Sequence, residues 1–160
     1  MEDLEVLRSS IHGLGVFLKK GVKKGGRVAY LQGRVVYKHN KSKSDALANS
    51  SWVGLSKRTW VDPAYPFKYL NHSCNPSASI KGKVTIVALK DMNPGDEVTL
   101  DYSTIEGDPL WEMKCGCGSK DCRKVIRSIE FLPKRVFDKY RPYIPSYFRN
   151  LYLSKRNSVK

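Results

Sequence analysis

Long apolar runs are absent from this sequence. No stretch approaches the roughly 20 consecutive apolar residues of a membrane-spanning helix. The opening Met1-Glu2-Asp3-Leu4-Glu5 is acidic where a secretory signal would be basic, so a soluble chain outside the general secretory route is expected. Acidic residues are scarce: 15 Asp and Glu stand against 29 Lys and Arg, a net charge of +14. Repeats and low-complexity segments are missing. So are long amphipathic helices alternating with strands, which excludes a doubly wound nucleotide-binding fold. Cysteine is limited to four residues, and without a secretory signal two disulfides are a poor account of them.

What is present suits one domain with a small appendage. The 160 residues are 41% hydrophobic and 28% charged, the balance of a folded rather than a disordered chain. The basic excess is concentrated late. From Arg123 onward eleven Lys and Arg face only Glu130 and Asp138, a net +9 that leaves +5 for everything before it. Such a field favours polyanions, nucleic acid among them. A solvated face that keeps the chain soluble explains it equally well.

Residues 4–8 and 14–18 are short apolar stretches around Ser9-Ser10-Ile11-His12-Gly13, which reads as strand, turn, strand. Val28–Tyr37 is rich in β-formers and interrupted by Gly33, which predicts a strand pair or a kinked strand. Residues 38–51 are polar and read as a loop with a short helix at Asp45–Ala48. Further strands are predicted at Trp52–Leu55, Thr59–Val61, Val84–Leu89 and Val98–Tyr102. Asn93-Pro94-Gly95-Asp96 is a turn, its proline presetting one dihedral and its glycine permitting the next. The end differs. Pro133 suits the first turn of a helix to about Tyr140, Pro142 and Pro145 break it, and Ser146 can cap a second helix to about Ser154. Seven aromatic residues in this tail fit helices docked on the body.

Three constellations carry chemistry. Gly13-Leu14-Gly15 can bring bare backbone amides close to a ligand, but Leu18 stands where a dinucleotide fingerprint needs its third glycine. Asn71-His72-Ser73-Cys74-Asn75-Pro76 sets directional polar groups between apolar Tyr69-Leu70 and Ile80, and if buried they must satisfy one another. A self-bonded turn would explain the asparagines but not Cys74. Cys115, Cys117 and Cys122 fall within eight residues, the spacing of a metal cluster, and Cys74 is the one thiol left to close it. Tyr102, taken singly, reads as an ordinary core residue.

Together these pieces resemble one family, the SET-domain protein lysine methyltransferases. The resemblance begins at Ser10–Phe17, continues through Lys24-Gly25-Gly26-Arg27-Val28, and peaks at Tyr69–Pro76. It resumes at Asn93–Tyr102 and closes with Cys115-x-Cys117-x4-Cys122, which is similar to the post-SET zinc motif. The resemblance implies a mainly β (α+β) fold, a β-clip of short strands with a pseudoknot near Asn71–Pro76 and Tyr102. A post-SET zinc loop and a C-terminal helical tail would follow. The divisions would be a SET core at 1–105, a zinc-binding segment at 106–126 and a basic aromatic tail at 127–160.

By the same resemblance, S-adenosylmethionine is the methyl donor and S-adenosylhomocysteine the product. His12, Gly13, Leu14, Gly15, Asn71 and His72 would contact the donor, and Tyr102 would be the catalytic tyrosine. Tyr69 and Leu70 would pack beneath, and Trp111 or Met113 would cover the adenine or wall the lysine channel. Cys74, Cys115, Cys117 and Cys122 would hold a structural zinc ion. Several positions depart from the family pattern. Leu31-Gln32-Gly33 replaces its Tyr-x-Gly, Lys68 an arginine and Ser77 an asparagine. Leu100 replaces a tuning Phe or Tyr, which leaves room for di- or trimethyllysine. Asp101, Glu106, Asp108 and Glu112 are expected to line an acidic groove for a lysine-rich peptide. The implied partner is a basic protein, histone-like or ribosomal, with nucleic acid held by the tail, in the cytoplasm or on chromatin in a nucleus. Two other readings stay open: a SET-fold binding module without turnover, and a basic zinc-containing nucleic-acid-binding protein.

Overall fold

The computed structural model of the chain describes residues 2–37 and 52–157. The helix expected at Asp45–Ala48 lies outside the described residues. β1 (Leu4–Arg8) and β2 (Leu14–Leu18) form an antiparallel hairpin with Leu4 opposite Leu18 and Arg8 opposite Leu14, at the predicted boundaries. The next stretch does divide, but at Leu31-Gln32, and Gly33 opens the second strand instead of interrupting the run. Its halves, β3 (Arg27–Tyr30) and β4 (Gly33–Tyr37), go to different sheets. β4 pairs with β6 (Thr59–Pro63), which also carries β5 (Val53–Ser56).

Four short strands escaped the sequence reading, two of them here: β7 (Asn71–His72), only two polar residues long, and β8 (Ala78–Lys81). The other two, Glu112–Lys114 and Val125–Arg127, follow Tyr102. β8 pairs with β9 (Thr85–Ala88), which in turn pairs with β3. β10 is shorter than predicted, Thr99–Leu100 only, because the chain turns into a 3₁₀ segment at Tyr102–Thr104. β7 and β10 run parallel, Asn71 beside Thr99 and His72 beside Leu100. Beyond them, β11 (Glu112–Lys114) and β12 (Val125–Arg127) form a hairpin that frames the cysteines.

The tail folds as two helices, α1 (Lys134–Tyr140) and α2 (Ser146–Asn157), the second longer than expected. Pro133 precedes α1 and accepts from the Val136 and Phe137 amides, a place where its missing N–H costs nothing. Phe137 and Tyr140, three apart on α1, and Phe148 and Tyr152, four apart on α2, are the buried faces. Phe137 stacks on Tyr152 with centroids 3.8 Å apart, and the Phe148 ring lies against the main chain of Gly54. These aromatics join Val16, Leu18, Ile80, Ile86, Val98 and Leu100 in one continuous core. No described helix is long and apolar enough to cross a membrane.

Candidate functional site

The turn between β1 and β2 is shaped by Ser9. Its amide donates to the Gly13 carbonyl (2.9 Å), and its hydroxyl accepts from the Ile11 amide (2.9 Å). Gly13 adopts φ +49°, where a Cβ would be strained, and a Cβ on Gly15 would collide with the Glu97 carboxylate. The Gly-Leu-Gly run is therefore required by close approach and by backbone conformation together. Asn71 reaches this turn through Nδ2, which donates to the carbonyls of His12 (3.2 Å) and Leu14 (3.0 Å) and to Glu97 Oε1 (2.8 Å).

On the other side of Asn71 lies β10. Ser73 donates its amide to the Leu100 carbonyl (2.9 Å), and Tyr102 donates its amide to His72 Nδ1 (3.2 Å). Ser77, where the family pattern has asparagine, exchanges bonds with Thr99. Its Oγ accepts the Thr99 amide (2.9 Å), while Thr99 Oγ1 accepts the Ser77 amide (3.0 Å). The departure is thus absorbed locally.

His72 is only 5% exposed, and its pKa is brought down to about 3 by burial first and the Arg123 charge second. Neutral, with Nδ1 accepting from Tyr102, it carries its proton on Nε2, a tautomer assigned from the bonding pattern. Nε2 lies 3.3 Å from Cys74 Sγ. The imidazole therefore links the tyrosine to the thiol cluster. The Tyr102 hydroxyl donates to the Leu70 carbonyl (2.5 Å), and burial, then the Glu97 charge, push its pKa up to about 12. At neutral pH it is a fixed hydrogen-bonding group rather than a base.

These residues border a cleft of about 710 Å³, lined by His12, Gly13, Leu14, Asn71, His72 and Tyr102 among others. Gly15, expected to contact the donor, is not among the lining residues and lies against Glu97. Tyr69 and Leu70 line the cleft as well, and Lys68 and Lys114 bring two cations to it. Met113 is at the cleft. Trp111 is not among its lining residues; it packs instead with Cys74, Cys115 and Ile126. Leu31 is 4% exposed within the main core and brings no hydroxyl to the cleft.

The four cysteines converge. A zinc–sulfur distance of about 2.3 Å puts the corners of a tetrahedron about 3.8 Å apart. Cys115 Sγ lies 3.8 Å from Cys74 Sγ and 3.7 Å from Cys122 Sγ. Ligand atoms of His72, Cys74, Cys115 and Cys117 all fall within 4.8 Å of one another. Burial pushes the Cys74 and Cys115 thiols up. At Cys117 burial acts the same way, but the Cys74 and Ser119 amides and the neighbouring thiols outweigh it and bring that thiol down to about 7. The donor set fits a thiophilic four-coordinate ion.

Two residues were missed by the sequence reading. Arg123 donates from Nε to Cys74 Sγ (3.4 Å) and from an Nη to Asp101 Oδ1 (2.6 Å). Asp101 is 2% exposed, and burial pushes its carboxyl up against the pull of Arg123. It therefore cannot line the expected acidic groove. Glu106 and Asp108 bond amides of their own turn, at Asp108 and Leu110, and Glu112 pairs with Arg127 at 3.5 Å. The second missed residue is Glu97. The alternation Glu97-Val98-Thr99-Leu100 was its signal: it places Glu97 on the face of Thr99, which is buried and polar.

Comparison with known proteins gives a consistent result. A family profile described as the SET domain matches residues 13–103. Histone-lysine N-methyltransferase 2B of Homo sapiens is 28% identical over 140 residues, covering 78% of this chain and 5% of that protein. Histone-lysine N-methyltransferase trithorax of Drosophila virilis is 29% identical over 136 residues, 76% of this chain and 4% of that one. The chain thus spans a small fraction of these relatives. Among solved structures, KRYPTONITE in complex with mCHH DNA, H3(1-15) peptide and SAH aligns with a TM-score of 0.59 at 22% identity, covering 76% of this chain and 29% of that one.

The raised Tyr102 pKa has a direct readout. In ¹³Cζ-tyrosine NMR, the signal lost in Tyr102→Phe should remain at its phenol position up to about pH 10.5, below the about 12 set by burial and Glu97. A midpoint at the ordinary value of about 10 would contradict the burial and charge assigned to it.

Proposed function

The chain belongs to the SET-domain family, and from that membership we propose that it transfers a methyl group from S-adenosylmethionine to the ε-amine of a lysine in a basic protein. One observation carries the reading: the Asn71 amide, the His12–Leu14 turn and the Tyr102 phenol, distant in sequence, border a single cleft. We take 1–105 as the SET core, 106–126 as the zinc-binding segment and 127–160 as an accessory tail.

S-adenosylmethionine supplies a methyl group on a cationic sulfur, which leaves as a thioether when the amine takes the methyl. The chain's part is binding and alignment. Backbone groups of His12–Leu14, with Asn71 and His72, hold the methionine portion, and Lys68 and Lys114 suit its carboxylate. A lysine of pKa about 10.4 must arrive neutral to attack, and the buried surroundings of Leu70 and Tyr102 disfavour its ammonium form. The Tyr102 hydroxyl donates to Leu70, so its oxygen lone pairs are left to accept an N–H of the amine and fix its direction. Cys74, Cys115, Cys117 and Cys122 would hold zinc as a closed structural site, with His72 bracing Cys74 from outside it.

The relatives named above are histone-lysine methyltransferases, which supports a histone-like or other nucleic-acid-associated target, in the cytoplasm or on chromatin in a nucleus. The tail adds a contact to nucleic acid. Arg135 and Lys139, four apart on α1, are exposed and have no acidic partner among the described residues, as also holds for Arg141. Unpaired like charges on one face repel unless an anion joins them.

Incubation with labelled S-adenosylmethionine and basic proteins should transfer label to lysine, and Tyr102→Phe should lower the rate about a hundredfold or more. Cofactor binding without transfer would instead favour the binding-module reading. Elemental analysis should find about one zinc per chain, lost in Cys115→Ser, and chelation should speed amide exchange across 111–127. Metal-free protein with unchanged exchange would refute the zinc assignment. Binding to duplex DNA should weaken steeply between about 50 and about 200 mM salt and fall on Arg135→Glu/Lys139→Glu. A salt-insensitive association would remove the tail from this role.

A further inference from the structure

Three separate segments meet at one carboxylate. Glu97, two residues before β10, accepts from Asn71 Nδ2 at Oε1 (2.8 Å) and from Ser9 Oγ at Oε2 (2.9 Å). Its own main chain is fixed against β2: Phe17 bridges Glu97, and the Val98 amide donates to the Val16 carbonyl at 2.7 Å. Gly15 leaves the space the carboxylate occupies. One side chain thus grips the start of the Ser9–Gly15 turn and, through Asn71, its end.

The hydrogen-bond inventory makes this grip directional. The three partners of Asn71 Nδ2 are two carbonyls and a carboxylate, which only accept, while the amide has two N–H groups to share among them. The nitrogen end must face Glu97 and the turn. The Oδ1 end is then the one available to a donor in the cleft that Asn71 lines. Without a carboxylate at 97, Ser9 loses its anchor and Asn71 its strongest, charge-assisted bond.

We propose that Glu97 is a positioning residue for the methyl donor, holding the Ser9–Gly15 turn and the Asn71 amide in the arrangement that receives the methionine portion. The inference rests on the reading of the cleft as an S-adenosylmethionine site. Glu97 acts through Asn71 and the turn and is not itself a catalytic residue. Glutamine at 97 can still accept from Asn71 and donate to Ser9 Oγ. Alanine offers neither, and aspartate is one methylene too short to reach.

The test is calorimetric titration of the purified chain with S-adenosylhomocysteine, whose binding does not depend on turnover. Glu97→Ala should raise its Kd about tenfold or more, and Glu97→Gln less than about threefold, as expected for loss or retention of a hydrogen bond to a charged group. In steady state, Glu97→Ala should raise KM for S-adenosylmethionine by a similar factor while kcat at saturation stays within about threefold. A purely structural role would instead reduce the fraction of competent protein and leave Kd unchanged, which would overturn the proposal. If Glu97→Ala does not fold, Glu97→Asp carries the same expectation. Wild-type binding matched by both short variants overturns this inference alone. A wild type that does not bind S-adenosylhomocysteine overturns it together with the reading of the cleft.

Discussion

β7 and β10 meet over two residue pairs, Asn71 with Thr99 and His72 with Leu100, and each group of the site is reached from that contact. Toward one side Asn71 holds the turn of β1 and β2. Toward the other, His72 receives the Tyr102 amide and touches Cys74. A parallel pair this short supplies few backbone bonds of its own. Side chains make up the difference, with Ser77 and Thr99 exchanging bonds and Glu97 closing on Asn71. The site is therefore positioned by a polar network, and such a network is worth having only if its members are nearly all satisfied.

The costliest part of that network is the buried charge. Asp101 and Arg123 lie together, and desolvating both is repaid only by close geometry and additional bonds. Here the guanidinium bonds Asp101 Oδ1 at 2.6 Å and the Cys74 sulfur at 3.4 Å, and Ser103 donates its amide to the same oxygen at 3.1 Å. Asp101 Oδ2 is buried without a hydrogen-bond partner among the described residues, so the repayment is incomplete. Arg123 follows the last cysteine directly, while Asp101 precedes Tyr102. The ion pair consequently fixes the cysteine segment and the tyrosine in one register. Metal held by the thiols would add to a link that the arginine already makes.

Much of this was legible in the sequence where local chemistry is strong. The β1–β2 hairpin and the start of α1 after Pro133 follow from local pattern and proline, and the division of the 28–37 stretch was expected, though it falls at Leu31-Gln32 just before Gly33. The Asn71–Pro76 run and the cysteines stood out as residue types with no ordinary reason to be together, whereas Tyr102, ordinary when taken singly, was marked only by the family resemblance. The rest depended on contacts that local pattern does not encode. β7 is two polar residues long, and only its partner makes it a strand. Asp101 looked like a groove carboxylate because nothing near it in sequence announces Arg123, and Trp111 looked cleft-facing until β12 packed Ile126 on it. Glu97 drew no reading of its own, because its partners are 26 and 88 positions away.

The central claim is that residues 71–74 and 99–102 meet to make one site for donor and acceptor. A crystal structure with bound S-adenosylhomocysteine tests it most directly. The account predicts the thioether sulfur in the cleft beside Asn71, within about 4 Å of the Tyr102 hydroxyl, close enough for a methyl group to bridge to an amine held there. A ligand bound elsewhere on the chain, or with its sulfur turned away from Tyr102, would contradict it.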